Sequence, residues 1–365
     1  MPNERIMFTT AYLSEREQFK SENCHFQKCI EGNSQKVITK VKKKILPEYQ
    51  KTSCGFSIPK QFSLEAFNSA LSYEPRPDDL FITTYPKCGA TWVQNIVACI
   101  HQEGSPFSSA LEFFNNAPFL EMSGAEAARI MKRPGAIKTH LPIDVIPWFS
   151  QAKYIYVARN PKDCCVSFYH HTKNFTGYKF KNGSFDDYFE LFMKGEVDYG
   201  DYFDSLISWY ERRNDPNVLF ITYEQLKEDI KRNVLKIANF MGSEYKEMLE
   251  KNETMLKDVI KHSSFEFMKE TLNQQISELA RQTRKSDQDR TDLSVGLKKL
   301  LESEESFFDT DPNSISYVRK GIVGDWKNHF SPEQDKTLEK KFMERTKGTD
   351  IQYLWQDIFK TSSTE

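Results

Sequence analysis

LFITTYPKCGATWVQNIVACI, Leu80 to Ile100, is the stretch from which the fold is read. Its first part, LFITTY, is apolar and β-branched, the composition of a buried strand. A short polar turn, Pro86-Lys87-Cys88-Gly89, follows. After it Trp92, Val93, Ile96, Val97 and Ile100 recur at the spacing of one helical face. A strand running through a tight turn into a helix is the first half of a βαβ unit. The turn also has chemistry. Backbone N–H groups at a helix start have no intrahelical partner and attract anions. Gly89 permits close approach, Thr91 adds a hydroxyl, and Lys87 supplies a mobile cation. The spacing is not the Walker pattern, because no Gly-x-x-x-x-Gly-Lys-Ser/Thr occurs.

Outward from this stretch the same punctuation repeats. Arg76-Pro77-Asp78-Asp79 is the turn that precedes the strand, and KYIYVAR, Lys153 to Arg159, reads as a second strand. Asn160-Pro161 then reads as a helix cap with proline in the first turn. VLFITYE, Val218 to Glu224, is a third strand, followed by a helix through Ile230, Val234, Ile237 and Phe240 that stops at Gly242. Strands rich in Val, Ile and Phe, each leading into a helix, predict an α/β fold: a single domain whose central parallel sheet has helices on both faces. Arg159 at a strand end and Ser167 about two helical turns later can both face a ligand above the carboxyl ends of the strands. Arg319 and Lys320, immediately before Gly321, form a second candidate anion clamp.

Composition narrows the function classes. The 365 residues carry 50 Lys plus Arg and 52 Asp plus Glu, a net charge of −2, so no global basic field recruits nucleic acid or membrane. Glu4, Glu15 and Glu17 interrupt the apolar run a signal peptide would need, and no segment reaches a membrane span, which leads to the expectation of a cytoplasmic protein. Seven scattered cysteines without a Cys-x-x-Cys read as reduced thiols. Residues 1–52, with ten basic and six acidic side chains, read as a polar, flexible extension. Its run Lys40, Lys42, Lys43 and Lys44, beside Ile38, Val41 and Ile45, is read as a solvated flap in preference to a membrane-touching helix. The domain is expected over 53–365. Within it, residues 271–316, with nine acidic and six basic side chains, break the pattern and read as a charged lid or insertion. Ile276, Leu279, Leu293, Leu297 and Leu300 are spaced there for short helices.

TYPKCGATW, KTHLP, YVARNPKD and RKGIVGDWKNHF, in this order, resemble the cytosolic sulfotransferases over roughly residues 55–345. The resemblance implies transfer of a sulfuryl group from 3′-phosphoadenosine 5′-phosphosulfate (PAPS) to a hydroxyl or amine of a small molecule, with no metal. It implies a P-loop-like cradle for the phosphosulfate made of Lys87, Cys88, Gly89, Ala90, Thr91 and Trp92, with Trp92 against the adenine. Arg159, Ser167, Arg319, Lys320 and Gly321 would hold the 3′-phosphate, and Tyr223, Ser263, Phe265 and Met268 would border the adenine. Phe56, Phe119, Met122, Phe168, Tyr169 and His171 fall where the resemblance puts acceptor contacts, and apolar walls there suit an aromatic or hydrophobic acceptor.

In KTHLP, His140 lies two residues after Lys138, so on an extended strand both share one face. An imidazole can take the acceptor's proton as its oxygen attacks sulfur. His140 is therefore the expected general base; the resemblance implies that Lys87 and Lys138 stabilise charge on the leaving phosphate and that Ser167 completes the catalytic set. The sequence departs from the family at Cys88 and Ala90, where serine and threonine are usual. The family's dimer motif is also altered, with Ser331-Pro332 and Lys336 in place of Thr-Val and Glu. A homodimer thus stays open. Two other readings are a nucleotide kinase, disfavoured by the missing Walker spacing, and a relative that binds nucleotide without catalysis.

Overall fold

The computed structural model describes residues 44–282, 293–302 and 318–359. Strands β1 (Tyr49–Lys51) and β2 (Ser57–Pro59) form a small antiparallel pair. Strands β3 (Leu80–Thr84), β4 (Ile137–Thr139), β5 (Lys153–Ala158) and β6 (Val218–Thr222) form a parallel sheet in the order β4-β3-β5-β6. All three of its pairings are parallel. The chain leaves β3 for β4 on one side and comes back to β5 on the other. That change of side opens a crevice at the carboxyl ends of the strands.

Alternation along the strands builds two cores. Phe81, Tyr154 and Tyr156 point to one face, whereas Leu80, Ile82, Ile155 and Val157 point to the other. The second face is covered by helices Ala90–His101, Ile230–Met241 and Glu253–His262. Val93, Ile96, Val97 and Ile100 of the first are fully buried there, the face the sequence spacing predicts. Each such side chain contributes about 1.5–3 kcal/mol of hydrophobic stabilisation. The other face packs against Pro161–Asn174 and Tyr202–Glu211. The helix after β6 is broken in two: Tyr223–Glu228 opens on a Thr222/Gln225 capping box, and Asp229 then caps Ile230–Met241, which ends at Gly242.

Some boundaries differ from the sequence reading. Strand β1 lies inside the stretch read as an extension. It is held by pairing with β2 and by the Gln50 amide, which donates to the carbonyls of Pro59 and Phe62 at 2.9 and 2.6 Å. Residues 1–43 lie outside the described residues. Part of 271–316 belongs to Phe265–Gln282, one 18-residue helix that runs on from the predicted adenine loop, with Ile276 buried. Another part, Val295–Glu302, lies so close to Leu120–Ser123 that a Cβ on Gly296 would stand 1.6 Å from the Met122 carbonyl oxygen. Leu293 and Leu297 are buried; 283–292 and 303–317, and the side chains of Leu279 and Leu300, are outside what is described. Ser331 and Pro332 start helix Pro332–Arg345, as N-cap of a capping box with Gln334 and as first-turn proline.

Candidate active site

Above the carboxyl ends of the strands lies a cavity of about 230 Å³. From the turn after β3 it receives Lys87, Gly89, Ala90, Thr91 and Trp92. Lys87 holds a left-handed φ of 70°, rare for a side chain of its kind, and Gly89 holds φ 110° with Tyr223 against its Cα. Cys88 does not reach the cavity. It is fully buried, its backbone N–H donates to Tyr85 O at 3.3 Å, and its Sγ lies 3.7 Å from Cys164 Sγ.

The 3′-phosphate candidates converge. Arg159, Ser167, Arg319, Lys320 and Gly321 all line the cavity. The Arg159 guanidinium donates to the carbonyls of Lys87 and Ile322 at 3.3 and 3.1 Å and lies 4.4 Å from the Tyr223 ring centre, while its buried Nε has no hydrogen-bond partner among the described residues. Gly321 holds φ 63°, and a Cβ there would meet the Phe265 ring at 2.2 Å, so only glycine fits. Phe265, Met268 and Tyr223 line the cavity too. Ser263 does not: its hydroxyl donates to Val259 O at 2.6 Å within its helix. It serves through its carbonyl, which accepts the Trp92 indole N–H at 2.8 Å and so fixes that ring edge-on to Tyr223.

At the far end stand Lys138 and His140 from β4 and its extension, with Phe119, Met122, Phe168 and His171. The His140 ring is buried, and its Nδ1 lies 2.8 Å from the Thr84 carbonyl oxygen. A carbonyl only accepts, so Nδ1 carries the proton and Nε2 the lone pair. Burial, reinforced by the charges of Lys138 and Lys87, holds the imidazole well below its ordinary range, so it is neutral at pH 7. Lys138 Nζ sits 4.3 Å from the Phe119 ring centre. His171 does more than line the acceptor end, because its Nδ1 lies 3.4 Å from Lys87 Nζ. Burial and Lys87 keep it neutral and able to accept that bond. Two expected acceptor contacts are absent from the lining. Phe56 packs at the edge of the core, and Tyr169, on the other side of its helix, packs among Phe180, Phe185 and Tyr188.

Similarity to known proteins follows the same lines. A family model described as "Sulfotransferase domain" matches residues 77–350. Sulfotransferase 1E1 of Cavia porcellus is 33% identical over 315 residues, 84% of this chain and 95% of its own length. The chain belongs to the sulfotransferase family. Sulfotransferase 1C2 of Homo sapiens is 34% identical over 80% of this chain and 90% of its own. The crystal structure of mouse sulfotransferase SULT7A1 complexed with PAP matches at TM-score 0.63 with 28% identity, covering 86% of this chain and 99% of that one. Retinol dehydratase in a complex with retinol and PAP shares the fold at TM-score 0.57 and 23% identity, over 83% of this chain and 91% of that one.

This sulfotransferase also builds its site from residues that sequence reasoning passed over. Glu121 accepts the His140 backbone N–H at 2.7 Å; its carboxyl is pushed up to about 7 by burial. Asp163 accepts from the backbone N–H groups of Gly324 and Trp326 at 2.7 and 3.0 Å, fastening the Arg319–Gly321 loop to the start of helix Pro161–Asn174. Asp325 accepts from Lys320 and Arg319 at 2.8 and 2.7 Å. Burial alone would raise its carboxyl, but the bonds from Lys320, Arg319 and Asn328 hold it well below the usual range. Asp163 and Asp325 lie inside quoted motifs, and an acid beside a helix start or a basic pair is the available signal. Among the described residues no helix is long and apolar enough to cross a membrane, and no group of acids, histidines and cysteines is arranged to hold a metal.

Proposed function

We propose that this sulfotransferase moves a sulfuryl group from PAPS to a hydroxyl or amine of a small, aromatic or hydrophobic acceptor. The observation that carries the reading is that Lys87, Lys138 with His140, and Arg159, from three separated segments, meet in one cavity. The buried Nε of Arg159, without a hydrogen-bond partner among the described residues, is a donor that fits the nucleotide's phosphate. When bound, PAPS supplies the sulfuryl group and a phosphate leaving group.

His140 Nε2 takes the acceptor's proton as the attacking oxygen closes on sulfur, and Nδ1–H donating to Thr84 O holds the ring for that task. The charge of Lys87 and Lys138 faces the phosphate oxygen on which negative charge accumulates. His171 accepts from Lys87 and so aims it. Arg159, Arg319, Lys320 and Ser167, which line the cavity, would hold the 3′-phosphate, and Trp92, Tyr223 and Phe265 would enclose the base. Phe119, Met122 and Phe168 of the same lining would take the acceptor ring. Positioning and charge stabilisation supply the acceleration, as in phosphoryl transfer.

The test is incubation of the purified protein with radiolabelled PAPS and a panel of phenols, catecholamines, sterols and aliphatic alcohols. Label in an acceptor is expected. Tight binding of the desulfated nucleotide with no labelled acceptor would leave a nucleotide-binding relative instead.

A further inference from the structure

Among the described residues lining the cavity, Lys87, Lys138, Arg159, Lys227, Arg319 and Lys320 are basic, and Asp198 is the single acid. The transfer reading gives the cations their work and leaves this acid without any. A carboxyl facing a site for a polyanionic donor opposes that donor, so its presence needs another occupant.

Asp198 is 3% exposed. Its Oδ2 accepts from the Tyr178 hydroxyl at 2.5 Å, whereas its Oδ1 is buried and has no hydrogen-bond partner among the described residues. Burial pushes the carboxyl up to about 8, opposed by the bond from Tyr178. A buried polar atom left unpaired is rare in a folded protein and marks a site where a partner is missing. The position is also defined. The next residue, Tyr199, lies edge-on to the His140 ring at 5.2 Å, and its backbone N–H donates to Ser57 O at 3.0 Å. Tyr178, Asp198 and Tyr199 therefore form part of the wall of the cavity, with Tyr199 beside His140.

We propose that Asp198 selects the acceptor: its unsatisfied oxygen receives the ammonium group of a hydroxylated arylalkylamine whose hydroxyl is turned toward His140. The proposal rests on the sulfuryl-transfer reading of the same cavity. An ammonium supplies the counter-charge the buried carboxyl lacks, and the carboxyl releases its proton to solvent as the ion pair forms. The held nitrogen has no lone pair, so the hydroxyl and not the amine is sulfated. The aromatic walls take the ring between the two groups.

The test compares two phenols that differ at one group, an aminoethyl phenol and its hydroxyethyl twin, with the N-acetylated amine as a third probe. Equilibrium binding to the full chain saturated with desulfated nucleotide is measured beside kcat/KM for transfer. The amine is expected to be preferred by about 10- to 100-fold, the strength of a charged hydrogen bond. Acetylation removes that advantage, and Asp198→Asn brings the ratio near one. Equal binding of the twins to the native chain overturns the proposal, and so does a preference that survives Asp198→Asn or acetylation. If amine binding depends on Asp198 while no acceptor is ever labelled, the transfer reading fails and the binding assignment stands.

Discussion

The two ends of the cavity handle charge in opposite ways. At the nucleotide end the cations are held by groups of the protein itself: Arg319 and Lys320 share Asp325, and Arg159 is pinned between the carbonyls of Lys87 and Ile322. At the proposed acceptor end the walls are aromatic, His140 is kept neutral by burial, and the carboxyl of Asp198 has one oxygen without a partner among the described residues. Preorganised charge suits a ligand that never varies, since no side chain must be reoriented when it arrives. A desolvated end with few polar groups discriminates instead by what each acceptor brings.

The largest break in this comparison comes from His140→Ala. Turnover is expected to fall by about 10²- to 10⁴-fold while affinity for the desulfated nucleotide holds, measured by single-turnover transfer and by calorimetry. Persistent turnover would remove the general-base assignment. Arg159→Ala acts on the other end: nucleotide affinity should weaken by about 10- to 100-fold, the value of hydrogen bonds to a charged group, and an unchanged affinity would take Arg159 out of the phosphate site. Met122→Ala should raise the acceptor KM by roughly tenfold, within the range for a truncated apolar contact, and leave nucleotide affinity as it was. If both constants move together, the two ends are not separable.

Two smaller effects follow from protonation. Because burial and Lys138 hold His140 below an ordinary imidazole, the acid limb of kcat/KM should fall below about pH 6.5. An acid limb centred at or above that pH would contradict the neutral ring. Asp325 has a depressed folded-state pKa, so its contribution to stability is complete above the unfolded-state carboxylate range. That contribution is lost as pH falls through the lower folded value. In Asp325→Asn, thermal denaturation scans should show a Tm lower by a few degrees at neutral pH and a flatter decline into acid.

The same contrast separates what the sequence discloses from what it conceals. Three of the four sheet strands are legible because each is a buried run that leads into a helix of clear period, as in Leu80–Ile100, whereas β4, with three residues and no helix after it, lacks that signal. The proposed nucleotide end draws its residues from short contiguous motifs, where Lys87, Gly89 and Thr91 are read together. Cys88 and Ser263 lie in those motifs, yet their side chains turn away, since periodicity does not fix which way a residue in a tight turn or at a helix end points. The acceptor end is assembled from residues far apart in the chain. Phe119, Phe168 and Asp198 meet only through the crossing of β4, a helix and a loop, and Phe56 and Tyr169 show that an aromatic near a motif is often core. The helix Val295–Glu302 could not be placed from composition, because its contact with Met122 depends on the bare backbone of Gly296.

Asp163 stands at the start of a helix in the first half of the chain and holds two backbone N–H groups from a loop more than 150 residues later. The 3′-phosphate clamp is therefore present only after the chain has closed on itself. A polypeptide that ends before Arg319 lacks Arg319, Lys320 and Gly321 together with the two N–H groups that Asp163 holds. On the proposed reading, nucleotide affinity doubles as a readout of that closure, which the Asp163 carboxylate fastens.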